Sequence, residues 1–280
     1  MTHRDPSSSL PISAQILTRN SGEALEKALQ SLPPCREILI IDGGSTDETL
    51  EIAKRFGARI LSQGPARADG ALTDFSSARN VGLHAATQPW ILELDSDESL
   101  SDALHEEVTT LARSSEPAAF FVPRRYVRGD GVVIQYATTY PNERIYFFHR
   151  DTVDAWIKPV HERVALKPGV LVRHLAGATL APLVSVSEYK MKNTRYLAIE
   201  AAASRNRGWT YWLRHRVYRT LRARVIATIK LAWIWLIPRT GARLPLAQEW
   251  ARYWYAWRLI VETYPGKSSA QSDKTTKKLQ

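Results

Sequence analysis

An Asp-x-Asp pair closes an apolar run in the stretch Trp90-Ile91-Leu92-Glu93-Leu94-Asp95-Ser96-Asp97-Glu98. In an extended chain, carboxylates next but one to each other lie on one face, yet a strand end need not stay extended. A turn there can converge both carboxylates on one hard cation. Mg²⁺ or Mn²⁺ is held in this way, by one or two carboxylates plus substrate phosphates. The alternative is a solvated acidic turn that caps the next helix. A second acidic loop, Asp42-Gly43-Gly44-Ser45-Thr46-Asp47, closes another apolar run over 37–41. Asp42 could accept a hydrogen bond from a base or a ribose, while Asp47 could favour the following helix N-terminus. Gly43 and Gly44 allow either a close nucleotide approach or merely a turn at positive φ. Arg79 lies on the helix before the Asp-x-Asp strand, where it either faces a diphosphate or is a surface residue. No Gly-Lys-Ser/Thr follows the glycines, and no G-x-G-x-x-G follows the first strand, so neither a P-loop nor a dinucleotide fingerprint is present. The single cysteine, Cys35, excludes a disulfide scaffold and lacks nearby partners for zinc.

These residues need a scaffold, and hydrophobic periodicity supplies one. Strands are expected at 12–18, 37–41, 58–61 and 90–94, with helices at 21–32, from Ser45 to about Phe56, at 76–86, and from Ser99 to about Arg113. Capping boxes are expected at Asn20/Glu23, Ser45/Glu48 and Ser99/Asp102. Such alternation predicts a mostly parallel sheet with helices on both faces, whose ligands bind beyond the carboxyl ends of the strands. Both acidic loops lie at such ends. Short strands follow at 120–122, 132–134 and 145–148, read as the acceptor half of the same domain.

The order and spacing of four segments resemble glycosyltransferase family 2. They are Thr18-Arg19-Asn20, Ile40-Ile41-Asp42-Gly43-Gly44-Ser45-Thr46-Asp47, Ser77-Ala78-Arg79-Asn80-Val81-Gly82, and the Asp-x-Asp stretch. His161-Glu162 is similar to the His-Glu of the subgroup containing lipopolysaccharide-core β-1,4-glucosyltransferases. The resemblance covers about 1–187 and implies a GT-A fold, a Rossmann-like mixed α/β sheet. It also implies inverting, metal-dependent transfer of a sugar from a UDP-sugar, glucose being the first expectation. By this resemblance Asp42 binds the uridine end, Thr18 and Asn20 line the nucleotide pocket, and Arg79 lies near the diphosphate or sugar. Asp95 contacts the ribose or a metal-bound water, and Asp97 ligates Mg²⁺ or Mn²⁺. Glu162 is the first choice for catalytic base, with Glu98 and Asp130 as competitors. His161 either ligates the metal or orients Glu162. The expected acceptor is a membrane glycolipid such as the lipopolysaccharide inner core. Transfer to a polyprenyl phosphate and a non-catalytic nucleotide-sugar-binding membrane scaffold are the alternatives.

Charge divides the chain in two. The formal net charge is +10 over 280 residues, but residues 1–187 carry −4 and residues 188–280 carry +14. The second part also holds seven of the nine tryptophans. Residues 188–265 are therefore read as a basic amphipathic helical extension, and 266–280 as a disordered tail. The most apolar run, 225–237, is 13 residues long with Lys230 near its middle, short of the roughly 20 residues that span a bilayer. Expected partners are an anionic membrane surface or packing against the catalytic domain or a second subunit; nucleic acid is disfavoured because no recognition motif accompanies the charge. Met1–Leu10 has no apolar core of signal-peptide length. The expected location is the cytoplasmic face of the inner membrane, peripherally attached.

Overall fold

The computed structural model describes residues 9–64, 74–158, 162–204 and 207–266. Two compact units form, one from Met1–Val133 with Pro141–Pro182 and one from Ile134–Tyr140 with Leu183–Gln280. The first begins β1 (Leu10–Thr18), α1 (Gly22–Gln30), β2 (Cys35–Asp42), α2 (Thr49–Arg55), β3 (Arg59–Ser62), α3 (Phe75–Ala85), β4 (Trp90–Asp95). It continues with β5 (Ser99–Leu100), α4 (Asp102–Leu111) and β6 (Ala119–Val127). β7 (Ile134–Tyr136) belongs to the second unit. β8 (Glu143–His149), β9 (Val153–Ile157), β10 (Arg163–Leu166), β11 (Val172–His174) and β12 (Thr179–Pro182) return to the first.

The main sheet has the order β3-β2-β1-β4-β8-β6-β12-β5, with β11 also beside β6. β3, β2, β1 and β4 are mutually parallel, and β8 runs antiparallel to β4 and β6. This is the expected mixed α/β sheet. β1, β2 and β4 are almost wholly buried, because both of their faces are covered. The chain leaves β1 toward β2 on one side and later adds β4 on the other. The carboxyl ends of β1 and β4 therefore flank a topological switch point. Thr18 and Asp95 lie at these two ends.

Helix starts differ from the expected capping boxes. Ser21, not Asn20, precedes α1, and its side chain makes no cap; Glu23 instead pairs with Lys27 one turn on. Asn20 adopts φ 49° and accepts from the Thr46 amide, 2.8 Å away. Ser45 Oγ donates to Asp42 rather than capping α2. Ser101 caps α4 by accepting from Leu104 N, because Ser99 and Leu100 are taken into the sheet against β12. At Asn20 and Ser99 a long-range bond outbids the local one, and at Ser45 the hydroxyl is held by Asp42 three residues back and by Asn20 N, 2.9 Å away. The strand expected at 132–134 shifts to β7, which pairs with β13 of the second unit.

The second unit is helical. It contains α5 (Val186–Ser204), α6 (Trp209–Tyr211), a π-helical segment Trp212–Tyr218 continuing into α7 (Arg219–Leu236), β13 (Ala242–Arg243) and α8 (Leu246–Glu262). Buried Glu249 on α8 accepts from Thr138 N at 2.9 Å and from Thr138 Oγ1. Among the described residues, no helix is long and apolar enough to cross a membrane. Residues 267–280, nearly all of the expected tail, lie outside the described residues.

Candidate functional site

Two loops meet at the carboxyl ends of β1, β2 and β4. Asp42 ends β2, and its carboxylate accepts four internal hydrogen bonds. Oδ1 takes Thr18 Oγ1 (3.1 Å) and Ser45 Oγ (2.5 Å); Oδ2 takes Gly44 N (2.8 Å) and Ser45 N (2.9 Å). The carboxylate thus folds its own loop into a turn, with Gly44 at φ 81°. Asn20 bridges to that loop from the end of β1, and Ser21 Oγ lies 2.9 Å from Ser96 Oγ beside the Asp-x-Asp turn. Thr18, Asn20, Asp42 and Asp95 are in this way tied to one edge of the sheet.

Beyond β4 the chain turns at once, with Glu98 N donating to Asp95 O at 2.9 Å. The turn converges Asp95, Asp97 and Glu98, each offering one carboxylate oxygen within 4.8 Å of the others. Glu98 Oε2 is buried and has no hydrogen-bond partner among the described residues. Asp97 is exposed. Three hard oxygen donors, one of them orphaned, fit a Mg²⁺- or Mn²⁺-type ion.

Arg79 is the hub behind this turn. The residue is 2% exposed, so it is not a surface arginine. Its Nη1 donates to Glu93 (2.7 Å), Nη2 to Asp95 (2.7 Å) and to the Tyr146 hydroxyl (2.8 Å), and Nε to Glu162 (3.1 Å). Every guanidinium nitrogen is engaged, and the Tyr146 and Trp156 rings lie 5.0 Å from the guanidinium carbon. Arg144 forms a second bridge, from Asp95 (3.1 Å) to Glu98 (2.9 Å), and Arg124 also pairs with Glu98. Burial alone would raise Asp95, but Arg144, Arg79 and Arg124 outweigh it and hold its carboxyl well below the usual range. Burial pushes Glu93 up to about 7, although Arg79 pulls it down. Burial and the nearby Asp95 charge also raise Glu98.

Local packing explains how Arg79 gets there. Ala78, Arg79, Gly82 and Leu83 form the buried face of α3. A Cβ at Gly82 would come within 2.4 Å of Gln15 Oε1 and 2.9 Å of Ile41 Cδ1, so only glycine lets α3 approach β1 and β2 this closely. Asp74 caps the helix by accepting from Ser77 N. One residue past Arg79, the Asn80 amide clamps the backbone of Trp156, donating to its carbonyl (2.9 Å) and accepting from its N–H (2.8 Å). That clamp holds the Trp156 ring beside Arg79.

The structure therefore brings Arg79, Asp95 and Glu162 into one cluster. Asp97 extends from it, while Thr18, Asn20 and Asp42 build the adjoining loop. His161 lies outside the described residues. Of the rival bases, Glu98 is inside the cluster, whereas Asp130 pairs with Arg128 in an exposed turn. Sequence reading missed the parts played by Glu93, Arg124, Arg144, Tyr146, Trp156 and Asn80. One signal was available. Glu93 and Asp95 are alternate residues of β4, and Arg144 and Tyr146 are alternate residues of β8, so each pair shares a face. The register Leu92↔Phe147, continued, sets Glu93 opposite Tyr146 and Asp95 opposite Arg144.

Comparison with known proteins finds a family and several relatives. Residues 13–164 match Glycosyl transferase family 2. A "Lipopolysaccharide core biosynthesis glycosyltransferase LpsC" from Rhizobium meliloti is 31% identical over 197 residues, covering 69% of this chain and 71% of that protein. A "TPR repeat-containing protein" from Synechococcus elongatus is 33% identical over 155 residues, 55% of this chain but only 35% of its own length. The solved structure of the mannosyltransferase PcManGT from Pyrobaculum calidifontis, in complex with GDP-Man and Mn²⁺, is similar at a TM-score of 0.47 and 14% identity, over 92% of this chain and 88% of that one. The family match spans more than half of the sequence and contains every strand-end carboxylate described above, and on that ground the chain belongs to glycosyltransferase family 2.

Proposed function

We propose that this protein is an inverting, metal-dependent glycosyltransferase that moves glucose from UDP-glucose to a membrane glycolipid such as the lipopolysaccharide inner core, working at the cytoplasmic face of the membrane. The similarity to a lipopolysaccharide core biosynthesis glycosyltransferase supports the acceptor class. The observation that carries the chemistry is the pairing of an acidic turn, Asp95 to Glu98, with a separate carboxylate, Glu162, through one buried arginine. In this reading residues 1–187 are the catalytic domain and 188–265 the helical extension.

The acceptor hydroxyl oxygen attacks the anomeric carbon while the bond to the diphosphate breaks and UDP leaves with the electron pair. The proton passes to Glu162, whose Oε1 is held by Arg79 Nε, fixing the carboxylate's orientation. Displacement from the face opposite the leaving group inverts the anomeric centre. Asp97, with Asp95 and the unpartnered Oε2 of Glu98 beside it, would hold the divalent ion, with His161 as a further candidate ligand; when bound, that ion offsets the negative charge growing on the diphosphate. Arg79 and Arg144 fix Asp95, so the acidic turn needs little rearrangement to act. The Asp42 loop, with Thr18 and Asn20, offers its backbone and side chains to the uridine end.

A panel of UDP-sugars, assayed for metal-dependent transfer and hydrolysis, tests the proposal. UDP-glucose should turn over with a lipopolysaccharide-core acceptor, and Asp97→Ala should abolish turnover while leaving the fold intact. Transfer to a polyprenyl phosphate in preference would replace the acceptor. Absence of binding by any UDP-sugar would sink the proposal, and turnover indifferent to Asp97→Ala would remove the assigned metal role.

A further inference from the structure

α7 is amphipathic the wrong way round for a helix in water. Its buried residues, Ala227 and Ile234, lie seven apart on one face. About half a turn away, the solvent side presents Leu221, Val225, Ile229 and Leu236, the last 79% exposed, with Ile226 and Trp233 beside them. α8 repeats the pattern: Trp250 and Trp257, seven residues apart, are both more than 60% exposed. The two helices are joined by Thr228 Oγ1 and Tyr253 OH, 2.8 Å apart. Exposed apolar stripes on two neighbouring helices in water mark a contact with something apolar.

Charge identifies the occupant. From Ala201 to Gln248 the chain contains ten Lys and Arg residues and not one Asp or Glu. Arg219 and Arg222 are exposed on α7 itself. The Arg239 guanidinium lies 3.5 Å from the centre of the Trp233 ring, placing a cation at the edge of the apolar face. A second copy docked about a two-fold axis would set this all-cationic span against itself. An anionic bilayer takes both features, acyl chains for the apolar stripe and headgroup phosphates for the arginines, with tryptophans at the boundary. The four cations of α7, Arg219, Arg222, Arg224 and Lys230, forbid a spanning pose, in keeping with the absence of a membrane-crossing helix among the described residues.

We propose that the outward faces of α7 and α8 lie flat in the surface of an anionic membrane, with Leu221, Val225, Ile229, Trp233 and Leu236 inserted. This inference does not depend on the sugar, the acceptor or the catalytic assignments above. It is tested with the full chain, floated with phosphatidylcholine vesicles alone or with phosphatidylglycerol added. The wild type should float with the anionic vesicles, lose binding as salt rises, and ignore the neutral ones. Ile229→Asp combined with Leu236→Asp should weaken flotation by about tenfold or more. Both side chains are exposed, so circular dichroism and metal-dependent donor hydrolysis should stay unchanged. Flotation unaffected by the double substitution would overturn the assignment. So would a dimer in vesicle-free solution that the substitution dissociates, or capture of a single-stranded oligonucleotide in place of vesicles.

Discussion

The two units solve opposite problems. The first buries charge: Arg79, Glu93 and Glu98 are nearly inaccessible, yet each is paired. The second exposes hydrophobic groups, with Ile229, Leu236, Trp250 and Trp257 all more than 60% accessible. Burying ions costs stability unless geometry and hydrogen bonds compensate, and exposing apolar area forgoes burial energy. Each departure from an ordinary interior or surface therefore marks a place where the chain is committed to something besides folding. In the first unit that commitment is orientation of carboxylates; in the second, on the membrane proposal, it is contact with a non-aqueous phase.

Substitutions can break this contrast, beginning where the effect is largest. Glu162→Gln should lower kcat by about 10²–10⁴-fold with little change in melting temperature, as loss of a general base does. Equal activity in the variant would return Glu98 to consideration. Arg79→Ala should be severe in a different way, because it strands Glu93 and Glu162 and leaves Asp95 with Arg144 alone. Removal of one partner from a buried ion pair costs roughly 3–5 kcal/mol, read by denaturant unfolding. Arg79→Lys should recover part of the stability but not the orientation of Glu162, since an ammonium lacks the fork.

Glu93 gives the contrast a pH signature. Its folded-state value, about 7, lies above that of an unfolded glutamate. The folded state thus binds the extra proton, and stability falls as pH rises from about 4.5 through 7, by up to ~3 kcal/mol in metal-free buffer. Asp95 acts in the other direction: its depressed value adds stability above pH ~4 that is lost on further acidification. Glu93→Gln should flatten the neutral limb of the stability profile and leave the acid limb in place. A smaller cost, about 1–3 kcal/mol, is expected for Gly82→Ala, which forces α3 off Gln15 and Ile41. Smallest of all should be Ile229→Asp, within about 0.5 kcal/mol in the absence of lipid. A large loss there would mean the α7 face supports the fold after all.

Much of the first unit was legible because strand-length apolar runs and turn residues agree with the final sheet. The β1–α1–β2 segment and the Asp-x-Asp strand fall within two residues of their expected limits. The capping boxes failed because Ser45 and Asn20 have better partners across space than along the chain, and sequence periodicity is blind to those. The Arg79 cage stayed hidden for the same reason: its members come from α3, β4, β8 and the segment around Glu162. Besides the alternation along β4 and β8, a glutamate between the apolar residues of β4 was a local hint, since a buried carboxylate requires a cation. In the second unit composition announced an unusual surface, but only the fold separates Ala227 and Ile234, which are buried, from Ile229 and Leu236, which are not.

The Asp42 turn has a kinetic consequence. Its four internal bonds and the Asn20 bridge shape residues 42–46 before any donor arrives. On the proposed donor site, a nucleotide docking there would meet a loop whose conformational entropy has already been surrendered during folding. Donor capture at that edge should therefore proceed without a slow ordering phase. Loosening the turn with Asp42→Ala should raise KM and slow association far more than it alters the chemical step, separating the rate of arrival from the rate of transfer.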